Sequence, residues 1–175
     1  MNERDVVDLL KEAESLGITV WIGGGWGVAA LIGMQTRPHS DIDVYLEKRH
    51  ADAFINTLVA RGYSEVNMAY TTEAHTVWQN PSDHMVDLHL IEFKKDDPDA
   101  LYFEGEAYPL YVLNDEGTIG GIPVRCFTAE AQLLFHQGYE YSEKDVHDVL
   151  LLCKTFGLDM PDEYKNTNVE IAVED

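Results

Sequence analysis

Apolar residues recur every three or four positions in several parts of the chain, which predicts amphipathic helices there. The first series contains Val6, Leu9, Leu10, Ala13 and Leu16. Asn2 is placed to cap this helix, and Gly17 is placed to end it. A second helix is predicted over 48–61. Two more are predicted near the carboxyl end, where Thr128 and Ser142 are placed as caps.

Alternating apolar and polar residues predict strands between these helices. The predicted strands cover 18–22, 41–46, 63–69, 76–79 and 85–91, and a hairpin over 118–125 turns at Gly120 and Gly121. The interval 94–111 is polar and contains Pro98 and Pro109, so it predicts a loop with little regular structure.

The segment from Trp21 to Leu46 combines a strand, a glycine turn, a short helix and an acidic strand. Asp41 and Asp43 are two positions apart in that strand, so both point to one side, about 6.6–6.8 Å apart. Two carboxylates on one side repel each other and are costly to bury unless they are paired or bind a metal. A divalent ion, most simply Mg²⁺, is the economical explanation, because Mg²⁺ favours a few carboxylates together with phosphate oxygens and water.

The glycine turn, Gly23, Gly24 and Gly25, suits the same chemistry. Without Cβ atoms, glycines let the backbone approach a ligand, and the N–H groups that begin the next helix can hold phosphate. Taken alone, an Asp-x-Asp pair is often a solvated strand end, and a glycine triplet is often an ordinary turn. The Asp-x-Asp pair and the glycine triplet together indicate a functional site more specifically than either motif alone. A dinucleotide-binding fingerprint is excluded because Val28 stands where its third glycine belongs.

Asp87 and His89 share one face of the predicted strand 85–91. If that strand lies beside the strand of Asp41 and Asp43, Asp87 completes a cluster of three carboxylates. The alternative is a solvated outer face of an antiparallel sheet. Periodicity alone does not separate these two interpretations.

The chain has 175 residues, which suits one domain with a core of ordinary size. Acidic residues number 32 and basic residues 12, which gives a formal net charge of −20. This charge argues against binding to a nucleic-acid backbone and favours a cationic small substrate. A solubility or high-salt adaptation would explain the charge equally well.

Cys126 and Cys153 are isolated thiols without metal-site spacing, as expected for free cysteines in a reducing compartment. No apolar run approaches the length of about 18 residues that a membrane span needs. The amino terminus is charged from residue 3 onward, unlike a signal peptide. We therefore expect a cytoplasmic protein without a membrane partner.

Five segments together resemble the antibiotic nucleotidyltransferases of the DNA polymerase beta superfamily. They are 23–26, 37–43, Asp87, 124–126 and 129–132. Within that group, the segment 130–139 resembles the small lincosamide nucleotidyltransferases, and aminoglycoside adenylyltransferases are similar as well. The resemblance covers about residues 5–155.

The resemblance implies an α+β fold: a mixed sheet with helices packed on one face, and a small C-terminal helical unit. The corresponding boundaries are a nucleotidyltransferase core at 1–126, a helical unit at 127–160 and a polar tail at 161–175 that is expected to fray. The resemblance also implies the transfer of a nucleoside monophosphate from a nucleoside triphosphate to a hydroxyl group, with Mg²⁺ as the cofactor.

Roles for individual residues follow from the same resemblance. The implied metal ligands and catalytic residues are Asp41, Asp43 and Asp87, the last as ligand, general base or both. The implied nucleotide contacts are Gly24, Gly25 and Trp26 at the triphosphate turn, with Arg37 and Lys144 at the phosphates.

Three further side chains are candidate substrate contacts: His89, His136 and Tyr139. His136 and Tyr139 are three residues apart on a predicted helix, so they would face the same way. For His89 the alternative is a structural hydrogen bond on the sheet, and for Tyr139 it is packing in the core.

The function that these features predict is transfer of a nucleoside monophosphate, AMP with ATP as the co-substrate, to a lincosamide antibiotic. An aminoglycoside acceptor is the alternative, and a polycationic substrate would suit the charge of −20. A binding or regulatory member of the superfamily and an enzyme for another hydroxylated metabolite are further alternatives. A monomer or a homodimer is expected.

Overall fold

A computed structural model describes residues 1–165. The helices are α1 (Glu3–Ser15), α2 (Gly24–Ile32), α3 (Ala51–Ala60), α4 (Ala129–Phe135) and α5 (Glu143–Phe156). The strands are β1 (Val20–Gly23), β2 (Asp41–Glu47), β3 (Ser64–Val66), β4 (His75–Gln79), β5 (Met85–Lys94), β6 (Asp97–Phe103), β7 (Glu106–Pro109), β8 (Asp115–Ile119) and β9 (Ile122–Cys126). Short 3-10 segments lie at Lys48–His50, Leu110–Leu113 and Asp162–Tyr164.

The strands form one mixed sheet in the order β3-β4-β5-β2-β1-β9-β8. The β2/β5 and β1/β9 pairs are parallel, and the other pairs along this path are antiparallel. Strand β6 pairs with the far end of β5 and with β7, so these two strands extend the sheet as a hairpin. The predicted α+β class with a mixed sheet is confirmed.

The register of β2 against β5 decides where the acidic residues lie. Asp43 is opposite Asp87, and Tyr45 is opposite His89. Ile42 and Val44, the intervening residues of β2, are fully buried on the other face. The alternation predicted from the sequence is therefore confirmed, because both aspartates of β2 share a face with Asp87.

Different elements pack against the two faces of the sheet. Helices α1, α2 and α3 contribute to one large hydrophobic cluster together with the apolar side of β2 and β5, so the predicted helical layer on one face is confirmed. On the opposite face, a second cluster forms around Ile91, Leu101, Val112, Leu113, Phe127 and Ala131. That cluster covers only one end of the face.

The two C-terminal helices begin where the sequence predicts. Thr128 accepts a hydrogen bond from the backbone N–H of Ala131, and Ser142 forms a capping box with Asp145. Gly157 ends α5 in a left-handed conformation. Both helices contact α2, which holds them against the core.

The structure corrects three predictions of local structure. The segment 94–111 is the β6–β7 hairpin and not a loop. Helix α4 ends at Phe135, so His136 and Tyr139 are not an i, i+3 pair on a helix. The tail was expected to fray, but Tyr164 is 1% exposed and packs against Leu133 and Val146, while 166–175 lies outside the described residues.

Both cysteines are free, and burial raises the pKa of the Cys126 thiol to about 12. Among residues 1–165, no helix is both long enough and apolar enough to span a bilayer.

Candidate active site

Three carboxylates converge at the end of the sheet face where β2 and β5 begin. Asp41 and Asp43 are two positions apart on β2, and Asp87 is paired with Asp43 across the parallel ladder. Burial raises the pKa of Asp41, and the neighbouring charges of Asp43 and Asp87 raise it further. The three groups therefore interact electrostatically, and a cation at this position would relieve their repulsion.

Two histidines contact these carboxylates. His75 Nε2 lies 3.2 Å from Asp87 Oδ1, and His89 Nε2 lies 3.4 Å from Asp43 Oδ1. The His75 and His89 rings stack with centroids 4.1 Å apart. Asp87 is 9% exposed and His89 is 6% exposed, so the alternative of a solvated outer face is wrong.

The glycine turn lies against the acidic strand. Gly24 has a φ of +52°, a conformation that favours glycine, and a Cβ there would lie 2.0 Å from Asp43 Oδ2. A Cβ on Gly25 would lie 2.4 Å from Arg37 Nη2. A side chain at either position would therefore displace Asp43 or Arg37. The turn leads directly into α2, whose first N–H groups are available for an anion.

Arg37 joins the loop after α2 to helix α5. Its Nε donates to Asp148 Oδ1 at 2.9 Å, and its Nη2 donates to Asp148 Oδ2 at 2.5 Å. Asp148 is 1% exposed, and His136 Nε2 lies 3.9 Å from its Oδ2. Burial alone would raise the pKa of Asp148, but hydrogen bonds from His136 and Arg37 lower it overall. This buried cluster fixes the position of Arg37.

A polar cavity of about 270 Å³ opens above the carboxylates and the glycine turn. Eight of the predicted site residues line it: Gly24, Gly25, Arg37, Asp41, Asp43, His136, Tyr139 and Lys144. They come from the sheet, from the loop after α2 and from the C-terminal helical unit. The structure therefore brings together residues that are more than 100 positions apart in the chain.

Three predicted site residues lie elsewhere. Trp26 is 1% exposed, and its ring packs in the core 4.6 Å from the His39 ring, so only its backbone is near the turn. Asp87 and His89 are buried beside Asp43 rather than in the cavity wall.

Core packing was the alternative for Tyr139, but this side chain is 48% exposed and donates a hydrogen bond to Asp145 Oδ1 at 2.8 Å.

The donor set around the carboxylates suits a nucleotide-bound Mg²⁺ better than a protein-only metal site. Within residues 1–165, no group of three or more His, Cys, Asp or Glu side chains is arranged to hold a metal ion. Mg²⁺ commonly takes one or two carboxylates together with phosphate oxygens and water. Asp41 and Asp43 would supply the carboxylates, and the polar cavity that they line with Gly24 and Gly25 would leave room for phosphate oxygens and water.

Comparison with known proteins shows the family of this chain. A sequence model of the aminoglycoside-2''-adenylyltransferase family matches residues 5–152, most of the chain. The chain belongs to the aminoglycoside-2''-adenylyltransferase family.

Relatives of this family member carry the names of two classes of antibiotic, lincosamides and aminoglycosides. A lincosamide resistance protein of Staphylococcus haemolyticus is 30% identical over 152 residues, covering 85% of this chain and 92% of the relative. A 2''-aminoglycoside nucleotidyltransferase of Escherichia coli is 26% identical over 166 residues, covering 85% of this chain and 84% of the relative. The prediction of an antibiotic-modifying nucleotidyltransferase is confirmed at this level.

Solved structures show the same fold. The lincosamide antibiotic adenylyltransferase LnuA, with lincomycin bound, superimposes with a TM-score of 0.75 at 29% identity, covering 87% of this chain and 96% of that one. ANT(2'')-Ia in complex with adenylyl-2''-tobramycin has a TM-score of 0.72 at 21% identity, with 89% of each chain covered. The predicted nucleotidyltransferase fold is confirmed.

Sequence reasoning missed several residues of this family member's site. His75 and Asp148 contact predicted site residues, and Gln132 and Tyr45 line the cavity. Tyr45 follows Asp43 by two positions, so the alternation could have identified it. Asp148 lies on α5, 111 positions from Arg37, and no local pattern indicates that pair.

Proposed function

We propose that the protein transfers AMP from Mg²⁺-bound ATP to a hydroxyl group of a lincosamide antibiotic. The observation that carries the proposal is the register that sets Asp87 beside Asp43, with the glycine turn against Asp43. Membership of a family of antibiotic-modifying nucleotidyltransferases supports the reaction. The similarity to the lincosamide proteins supports the acceptor.

Asp41 and Asp43 would hold the metal, which when bound supplies positive charge to the phosphate oxygens. The N–H groups at the start of α2 would hold the triphosphate, since the turn at Gly24 and Gly25 leaves the backbone accessible. Lys144 in the cavity wall would add a cation on the other side. Arg37 contributes charge to the same wall, although Asp148 already accepts hydrogen bonds from two of its nitrogens.

Asp87 would act as the general base. It would take the proton of the acceptor hydroxyl while that oxygen attacks the α-phosphorus of ATP. The new bond joins the acceptor oxygen to phosphorus, and the bond from the α-phosphorus to the bridging oxygen breaks, so pyrophosphate leaves. The hydrogen bond from His75 at 3.2 Å would orient the Asp87 carboxylate toward the acceptor.

An aminoglycoside acceptor is the second candidate. The net charge of −20 favours a polycationic substrate, and aminoglycoside nucleotidyltransferases are among the relatives. The two acceptors are separated by incubating the purified protein with ATP and Mg²⁺ and either lincomycin or tobramycin. We expect lincomycin to gain the mass of one AMP residue.

A tobramycin adduct alone would replace the lincosamide assignment with the second candidate. Absence of any adduct, together with absence of Mg²⁺·ATP binding in calorimetry, would favour a binding or regulatory protein and contradict the proposed enzyme. The Asp43→Asn variant is the matched control, because any adduct that it forms at the wild-type rate does not depend on the proposed site.

A further inference from the structure

A second cavity, of about 220 Å³ and largely apolar, lies next to the polar one. Its floor is Tyr45 of β2 and Ile91 of β5, and the β6–β7 hairpin with the following 3-10 segment builds its wall. The wall residues include Leu101, Phe103 and Val112. We call this space the aromatic cavity.

The aromatic cavity is adjacent to the candidate active site. Tyr45, Phe127 and Phe135 line both spaces. The ring centroids of Tyr45 and Phe127 are 4.5 Å apart, and those of Phe127 and Phe135 are 5.5 Å apart. These rings form a shared boundary, so one small molecule could contact the carboxylates and the aromatic cavity together.

The aromatic cavity leaves space between largely buried apolar side chains. Packed apolar side chains normally leave few voids larger than a water molecule, because unfilled space loses dispersion contacts. A dry apolar cavity of about 150 Å³ is known to bind benzene. The aromatic cavity is larger than that, while Ile91, Leu101 and Val112 around it are each less than 5% exposed.

We propose that the aromatic cavity holds an apolar group of the acceptor while the acceptor hydroxyl lies beside the carboxylates. This inference rests on the proposed function and narrows its substrate class to amphipathic acceptors that carry an alkyl or aromatic group. A polycationic, polyhydroxylated aminoglycoside would have to lose water from charged groups to enter the aromatic cavity, at a cost that apolar walls do not repay.

Filling the cavity provides the test. Val112 is 2% exposed and lines the aromatic cavity, whereas Val59 is 53% exposed on α3 and lies far from it in the fold. We expect Val112→Phe to weaken lincomycin binding about tenfold or more in calorimetry, and to leave Mg²⁺·ATP binding within about twofold. Val59→Phe is the matched control, and both affinities should stay at the wild-type value.

Phe135→Ala is a second variant in case Val112→Phe does not fold. Phe135 is 36% exposed, so its truncation is tolerated more readily than a change in the core, and it removes part of the shared boundary. We expect weaker lincomycin binding here too. In the wild type, toluene should compete with lincomycin and not with Mg²⁺·ATP.

The aromatic cavity assignment and the proposed AMP transfer are tested separately, because lincomycin binding is measured without ATP. If lincomycin binds and Val112→Phe weakens it, but no AMP is ever transferred, the aromatic cavity assignment stands and the transferase proposal is overturned. If AMP is transferred and a folded Val112→Phe binds lincomycin as the wild type does, the cavity assignment is overturned and the reaction stands. Failure of lincomycin to bind the wild type would overturn the cavity assignment as well.

Discussion

The same two strands carry two regions of opposite chemistry on one face of the sheet. Where β2 and β5 begin, the face presents Asp41, Asp43 and Asp87. Further along both strands it presents Tyr45 and Ile91, which lie under the aromatic cavity. The face changes from acidic to aromatic between Asp43 and Tyr45, which are two residues and about 6.6–6.8 Å apart along β2.

The difference between the regions follows from what covers each of them. The acidic end lies at the glycine turn and opens into the polar cavity, because burying clustered carboxylates without a cation is unfavourable. The aromatic end lies beneath the β6–β7 hairpin, where burial of apolar surface stabilises the fold. One end is therefore acidic and faces the polar cavity, and the other is apolar and lies under the hairpin.

The largest expected effect comes from removing a charge at the acidic end. Asp43→Asn should lower the rate of AMP transfer on the order of 10³-fold or more, because it weakens both metal binding and charge stabilisation in the transition state. Without Mg²⁺, the thermal stability should hold or rise, because repulsion among the carboxylates falls. Steady-state kinetics and a melting curve check both statements. Near-normal turnover would mean that Asp43 takes no part in the transfer.

Asp87→Asn should have the next largest effect. Loss of a general base costs on the order of 10²–10⁴-fold in the chemical step, and Mg²⁺·ATP binding should stay within a few-fold. A loss of nucleotide affinity as well would identify Asp87 as chiefly a metal ligand. Single-turnover kinetics separates these outcomes, and Asp99→Asn, at an exposed position of β6, is the matched control. A wild-type rate would remove Asp87 from the mechanism.

A smaller effect is expected from Gly24→Ala, which tests the contact between the turn and the acidic end. Gly33 also has a positive φ, +83°, but a Cβ there meets nothing within 4 Å, whereas a Cβ at Gly24 would lie 2.0 Å from Asp43 Oδ2. Each change should cost about 1–3 kcal/mol of stability through backbone strain. Only Gly24→Ala should weaken Mg²⁺·ATP binding in calorimetry, and equal effects of both variants would contradict the proposed contact.

The smallest expected effect is a pH dependence at the cluster that joins α5 to the polar cavity. Burial alone would lower the pKa of His136, but hydrogen bonding to Asp148 and Gln132 raises it overall. Protonated His136 therefore contributes stability that is complete below its ordinary pKa of about 6.5 and is lost as pH rises through the raised value. The free energy of unfolding, measured by urea denaturation, should fall over that range. His136→Gln should remove this fall, and an unchanged pH profile would contradict the charge assignment.

The sequence predicts the acidic end better than the aromatic end, for physical reasons. Period-two alternation is a local signal, so the shared face of Asp41, Asp43 and Asp87 follows once their strands are adjacent. The β6–β7 hairpin was missed because Pro98, Pro109 and many charges are typical of loops. The structure places Pro109 at the end of β7, which among residues 1–165 pairs with β6 alone, so its missing N–H is tolerated at an edge.

Long-range pairs lie beyond what periodicity can predict. Helical periodicity does not distinguish Asp148 from the other polar positions of α5. The structure nevertheless buries it as the partner of Arg37, 111 positions away. The aromatic cavity combines residues from β2, β5, β6 and the segment after β9, and no local spacing connects them. The family motifs indicated the reaction, but the walls of the two cavities follow only from the fold.

The most direct test of the two-region account is a crystal structure with Mg²⁺, a non-transferable ATP analogue and lincomycin bound. We expect an acceptor hydroxyl oxygen within hydrogen-bond distance of Asp87 and an apolar group of lincomycin beyond Tyr45 and Phe127, in the aromatic cavity. Lincomycin bound with its hydroxyl groups away from Asp87, or with the aromatic cavity empty, would contradict it.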